Sequence, residues 1–108
     1  MSILGKWRII DMPDYIEDYP DMIGPAYILF GAHGSGEFAF GCVTGQIFGG
    51  SEANVVEFSW DGNDEMDEAG GRGWAELQRD GSLKGQICFH GGDEANFVAR
   101  RWSSSTAC

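Results

Sequence analysis

Seventeen glycines are spread through a chain of 108 residues, and that spacing constrains the fold more than any other feature. A glycine inside a helix costs roughly 1 kcal/mol relative to alanine, so a long helix threaded with them is disfavoured. Between the glycines lie short runs in which apolar and polar residues alternate, the pattern of antiparallel sheet. The chain therefore reads as an all-β protein of about eight strands. These are roughly Leu4–Asp11, Ala26–Gly31, Glu37–Cys42, Val43–Phe48, Val55–Trp60, Gly73–Gln78, Leu83–His90 and Ala95–Trp102. The third and fourth can also be read as one bent strand, with Gly41 and Gly45 at the bend. Met12 to Pro25 holds all three prolines and several acids, so it reads as a long loop with a helical turn after Pro13. Residues 1–102 are expected to form a single domain, and residues 103–108 are read as a flexible C-terminal tail.

The turns fix the register. A two-residue turn on Asp80-Gly81 would pair Leu77 with Lys84 and send Leu77 and Leu83 to opposite faces. A three-residue loop, Arg79-Asp80-Gly81, with Gly81 left-handed, pairs Gln78 with Ser82 instead. Leu77 then faces Leu83, Ala75 faces Gly85, and Glu76 sits opposite Lys84 on the solvent side. The same rule at Ala32-His33-Gly34 pairs Ile28 with Phe38 and Ala26 with Phe40. The inward set becomes Ala26, Ile28, Phe30, Phe38, Phe40, Val56, Phe58, Trp60, Ala75, Leu77, Leu83, Ile87, Phe89, Ala95, Phe97 and Ala99. Eight antiparallel strands in a meander leave two free edges unless the sheet closes, so the expected architecture is a small up-and-down barrel.

Gly5-Lys6-Trp7 opens the first strand, and Arg101 ends the last with the same parity as Phe97 and Ala99. This pair resembles the Gly-x-Trp start and late Arg of lipocalin-like barrels, where the Arg packs over the Trp and ties the barrel shut. The resemblance implies barrel closure by Trp7 and Arg101. The chain is shorter than those barrels usually are, which argues against a roomy ligand cavity. Nearly the whole chain also resembles a family of small uncharacterised bacterial proteins. That likeness rests on Gly5-Lys6-Trp7-Arg8-Ile9, Trp60-Asp61-Gly62-Asn63-Asp64-Glu65-Met66-Asp67, Gly71-Arg72-Gly73-Trp74-Ala75 and Asp80-Gly81-Ser82-Leu83-Lys84-Gly85. Phe89-His90, Gly92-Asp93 and Phe97 complete it. It implies the fold and brings no activity with it.

Charge narrows the partners. Seven basic residues against 17 acidic ones give a formal charge of −10. Such a field repels nucleic acid and anionic membranes, and attracts cations and basic groups. An up-and-down meander gathers the connections after strands one, three, five and seven at one end. Most of the acids fall there: Asp11, Asp14, Glu17, Asp18, Asp21, Asp61, Asp64, Glu65, Asp67, Glu68, Asp93 and Glu94. Arg72 is the one basic residue expected among them, paired with Asp64 or Glu65. Asp61–Glu68 superficially resembles a calcium loop but lacks its sixth-position glycine and closing glutamate, so no metal site is assigned.

Cys88 and His90 lie two apart on one strand and so share a face. They read either as a nucleophile with its base or as a plain thiol beside a rim imidazole bonded to Asp93. Neither a phosphate loop nor a dinucleotide fingerprint occurs, and no cofactor is expected. Trp74 has outward parity, so either the Asp61–Arg72 loop covers it or a second subunit does. Three cysteines cannot all pair, the N-terminus does not resemble a secretion signal, and no apolar run approaches about 18 residues. These features lead to the expectation of a reduced, cytoplasmic setting.

The sequence thus reads as a non-catalytic binding domain for a small, cationic ligand at an acidic barrel mouth. The ligand-binding candidates are Trp60, Asp64, Glu65, Arg72, His90 and Asp93. The alternatives are a homodimeric interaction module with Trp74 in its interface, and an acid–base enzyme using His90 with Asp93 or Glu65.

Overall fold

The computed structural model describes residues 3–15, 21–22, 24–31, 35–49 and 54–102. The turn at Arg79–Gly81 sets the register of its hairpin. Gly81 has φ +88°, its amide donates to the Gln78 carbonyl at 3.1 Å, and the Gln78 amide donates to Ser82 at 2.8 Å. Leu77 therefore faces Leu83, Ala75 faces Gly85, and Glu76 faces Lys84. Asp80 locks the turn by accepting from the Ser82 amide and hydroxyl. The pairing of Ile28 with Phe38 is also present, whereas Ala32–Gly34 lies outside the described residues.

Eight strands follow in order: β1 Gly5–Asp11, β2 Tyr27–Phe30, β3 Ser35–Phe40, β4 Val43–Phe48, β5 Val55–Asp64, β6 Asp67–Leu77, β7 Leu83–Phe89 and β8 Glu94–Arg101. Each pairs antiparallel with its neighbours, and β8 returns to β1 to close the barrel. Among the described residues there is no helix, and none long and apolar enough to cross a membrane. The closing ladder carries a bulge between Ile9 and Asp11, which leaves Ile10 half exposed.

The reading of eight separate strands holds, and one sequence expectation is corrected. β3 and β4 are separate strands joined at Gly41-Cys42, where Gly41 has φ +56°. The segment from Asp61 to Arg72 is not a loop. β5 and β6 stay paired from Val55↔Glu76 out to Asp64↔Asp67, and only Glu65 and Met66 form the turn. The physical reason is that Val56-Phe58-Trp60 alternation continues through Gly62 and Gly70-Gly71, where glycine permits close backbone approach. Asp61 and Glu68 have outward parity, while Asp64 and Asp67 keep the parity of Trp60 where the hairpin runs past its neighbour. A side chain at Gly62 would collide with the Thr44 carbonyl.

The interior is filled. Trp7, Ile28, Phe38, Phe40, Ile47, Trp60, Leu83, Ile87 and Phe97 are all at most 2 % exposed. Three rings achieve this by lying on a cross-strand glycine: Phe38 opposite Gly45, Phe58 opposite Gly73, and Phe97 opposite Gly85. A Cβ at any of the three glycines would stand within 2.6 Å of the facing ring. Phe38 also packs edge-on against Trp60 at 5.1 Å between ring centres. Both ends are stoppered. Ile3 is buried beside Trp7, whose Nε1 donates to the Ile3 carbonyl, and Met12 is buried at the other end, where Tyr15 packs on Phe40.

Candidate functional site

With its interior filled, this barrel presents its chemistry on the outside. β5 and β6 run several residues past the end of β7, so their hairpin forms one wall of a groove. The β7–β8 turn forms the other. It repeats the bulged geometry of the Gly81 turn: the Phe89 amide donates to Asp93 at 2.8 Å, the Gly92 amide donates to Phe89 at 2.9 Å, and Gly92 has φ +104°. The His90 amide donates to the Gly70 carbonyl at 2.8 Å and ties the two walls together.

The resulting cleft has a volume of about 480 Å³. Asp61, Asp64, Asp67, Glu68 and Asp93 line it with His90, over a floor of Ala69, Gly70 and Phe89. A side-chain carbon at Gly70 would stand 2.9 Å from Asp61 Oδ1 and 3.5 Å from His90 Cδ2. The missing side chain therefore leaves a gap with a carboxylate on one side and an imidazole on the other. Phe89 is held from below by Trp60, edge-on at 5.2 Å. No basic side chain lines the cleft apart from His90, and the ion pairs Arg8–Asp21 and Arg100–Asp80 both lie elsewhere. Asp64 stands directly opposite Asp67, and like charges so placed destabilise a hairpin. Among the described residues no three His, Cys, Asp or Glu side chains converge to hold a metal ion.

Of the ligand-binding candidates, Asp64, His90 and Asp93 come together here. Glu65 lies at the tip of the hairpin, its amide donating to the Cys42 carbonyl at 2.9 Å. Trp60 sits beneath the cleft rather than in it. It is 1 % exposed, and its Nε1 donates to the carbonyls of Arg72 and Cys88. Arg72 does not pair with Asp64 or Glu65. It stands between Ser59 and Cys88 on the outer sheet face, in a second cleft of about 400 Å³ that shares no residue with the first. Asp61, Asp67 and Glu68 complete the acidic wall. Their share in it follows from the continued pairing of β5 and β6, which the reading of Asp61–Arg72 as a loop concealed.

Cys88 and His90 are separated rather than joined. β7 ends at Phe89, so His90 belongs to the turn and faces the acidic cleft, while Cys88 lines the other one. The Cys88 thiol donates to Gln86 Oε1 at 3.3 Å. Burial, and then the charge of Glu94, push its pKa up, the opposite of what a nucleophilic thiolate needs. Among the described residues no hydrogen bond joins the His90 imidazole to Asp93. Trp74 points outward opposite Gln86, 37 % exposed, and no loop from Asp61 to Arg72 covers it. Comparison with protein-family models, curated proteins and solved structures found no match to the chain.

Proposed function

We propose that this protein is a non-catalytic binding domain that takes a cationic group into the cleft between the β5–β6 hairpin and the β7–β8 turn. The observation that carries the reading is the accumulation of Asp61, Asp64, Asp67, Glu68 and Asp93 around one groove with no lysine or arginine among them. Asp64 facing Asp67 costs stability, and a bound cation offsets that cost. The apolar floor of Ala69 and Phe89 suits a cation with a short hydrocarbon part, such as an alkylamine or a basic side chain, better than a bare metal ion. The separation of Cys88 from His90 weighs against a thiol nucleophile with an imidazole base.

A ligand that binds only the folded state raises stability by about 2.7 kcal/mol at a hundred times its dissociation constant. The test compares melting curves in spermidine, in calcium and in sodium at matched ionic strength, for the wild type and for Asp64→Asn with Asp67→Asn. The proposal expects an advantage for spermidine that the double variant loses. Equal shifts in all three salts would reduce the cleft to a solvated acidic rim.

A further inference from the structure

The outer face of β4–β7 carries a second, chemically different patch. Phe48 and Trp74 are half exposed there, and between them lie Glu57, Ser59, Arg72 and Cys88. Glu57 is opposite Trp74, and Ser59 is opposite Arg72, so Glu57 and Arg72 occupy one diagonal of a four-residue square. They are within reach of each other in principle. Yet neither side chain makes an ion pair or hydrogen bond among the described residues. An unpaired cation, an unpaired anion and two exposed aromatic rings thus share one cleft, in a molecule of net charge −10.

We infer that this face docks a second copy of the same chain. A two-fold axis in the contact plane, running along the other diagonal from Ser59 to Trp74, exchanges the positions of Glu57 and Arg72. Arg72 then meets the partner's Glu57, Glu57 meets the partner's Arg72, and each Trp74 lies on the axis against the partner's Trp74. The patch is complementary to itself, which an isologous dimer requires. Aromatic and arginine side chains are also the groups that anchor interfaces. A generic acidic or basic partner would match only one of the two charges. The acidic cleft shares no residue with this face and stays open in the dimer.

The test is sedimentation velocity at fixed physiological ionic strength on the wild type, Arg72→Glu, Glu57→Arg and an equimolar mixture of the two variants. Each reversal sets like charges opposite each other twice, so each variant should associate at least about tenfold more weakly than the wild type. In the mixture every facing pair is opposite in charge, and the dimer should return. Glu57→Arg separates this interface from bulk repulsion, because it makes the chain two units less negative and would strengthen association governed by net charge alone. Near-ultraviolet circular dichroism checks that each barrel is intact, and Arg72→Gln with Glu57→Gln replaces any reversal that disturbs folding. A monomeric wild type at millimolar concentration, tighter association of Glu57→Arg, or a mixture that stays monomeric would each overturn the inference.

Discussion

Arg101 lies over Trp7 across the closing seam of the barrel, its guanidinium carbon 4.0 Å from the centre of the indole, with Nη1 donating to the Leu4 carbonyl at 2.6 Å. The two residues are also paired in the β1–β8 ladder. The contact therefore ties the last strand to the first and shields the tryptophan that fills that end of the barrel. Lys6 reinforces the same seam, with its ammonium 4.7 Å from the Tyr27 ring centre and 4.3 Å from that of Trp102. Replacing Arg101 with Ala should cost about 1–2 kcal/mol, from the lost cation–π contact and the lost charged hydrogen bond. Lysine should restore only part, because an ammonium cannot lie flat on the ring. Urea midpoints of the three proteins check this, and an unchanged midpoint in Arg101→Ala would remove the seam from the stability account.

The ring-on-glycine packing makes a sharper prediction. Gly45→Ala places a methyl within 2.6 Å of the Phe38 ring and should destabilise by about 1–3 kcal/mol through overpacking. Phe38→Leu relieves that clash. The double variant should therefore be more stable than the two single losses added together, a coupling that a denaturation cycle reads directly.

Two turns sit on opposite sides of the same backbone preference. Gly81 has φ +88°, so Gly81→Val should cost on the order of 1–2 kcal/mol. Glu65 holds φ +59° at the tip of the acidic hairpin without being glycine. Glu65→Gly should raise the melting temperature, relieving roughly 1 kcal/mol of left-handed strain and removing one charge. A fall in melting temperature for Glu65→Gly would mean that the side chain contributes more than its backbone costs.

Stability should depend on pH at both extremes. Burial, and then the hydrogen bond and charge of Glu37, push the Tyr27 phenol up to about 12. Its contribution is therefore complete below the ordinary tyrosine value near 10 and is lost as pH rises through about 12. On the acid side, the Ala26 amide and the Arg8 side chain hold Asp21 below its ordinary value. That contribution is present above the ordinary aspartate value and is lost as pH falls through the lowered one. Tyr27→Phe should flatten the alkaline limb of a stability–pH profile. Asp21→Asn should flatten the acid limb and cost about 1 kcal/mol at neutral pH, since the pair is solvent-exposed.

The sequence made the barrel legible because its turns and alternation agree. Gly81 fixes one register, Phe38 and Ile28 another, and the inward parity of Phe58, Trp60, Leu83 and Phe97 follows. The extent of β5 and β6 was not legible, since Asp61–Glu68 has the polarity of a loop and only its glycines betray pairing. Reading that segment as a loop also misplaced Arg72, which belongs to mid-strand, although the gathering of Asp61, Asp64, Asp67, Glu68 and Asp93 at one end was legible from the meander. Trp60 has the same inward parity as Phe58, but that does not show that the chain fills its interior completely. That requires knowing that Phe38, Phe58 and Phe97 each face a glycine, a relation between strands rather than along one.

Backbone amide NMR with spermidine, set against sodium at the same ionic strength, tests the binding account most directly. Perturbations confined to Asp61–Gly70 and Phe89–Asp93, saturating with spermidine and absent in Asp64→Asn with Asp67→Asn, are the predicted result. Shifts spread over the inward residues of β2 and β3, or none beyond those caused by sodium, would contradict it.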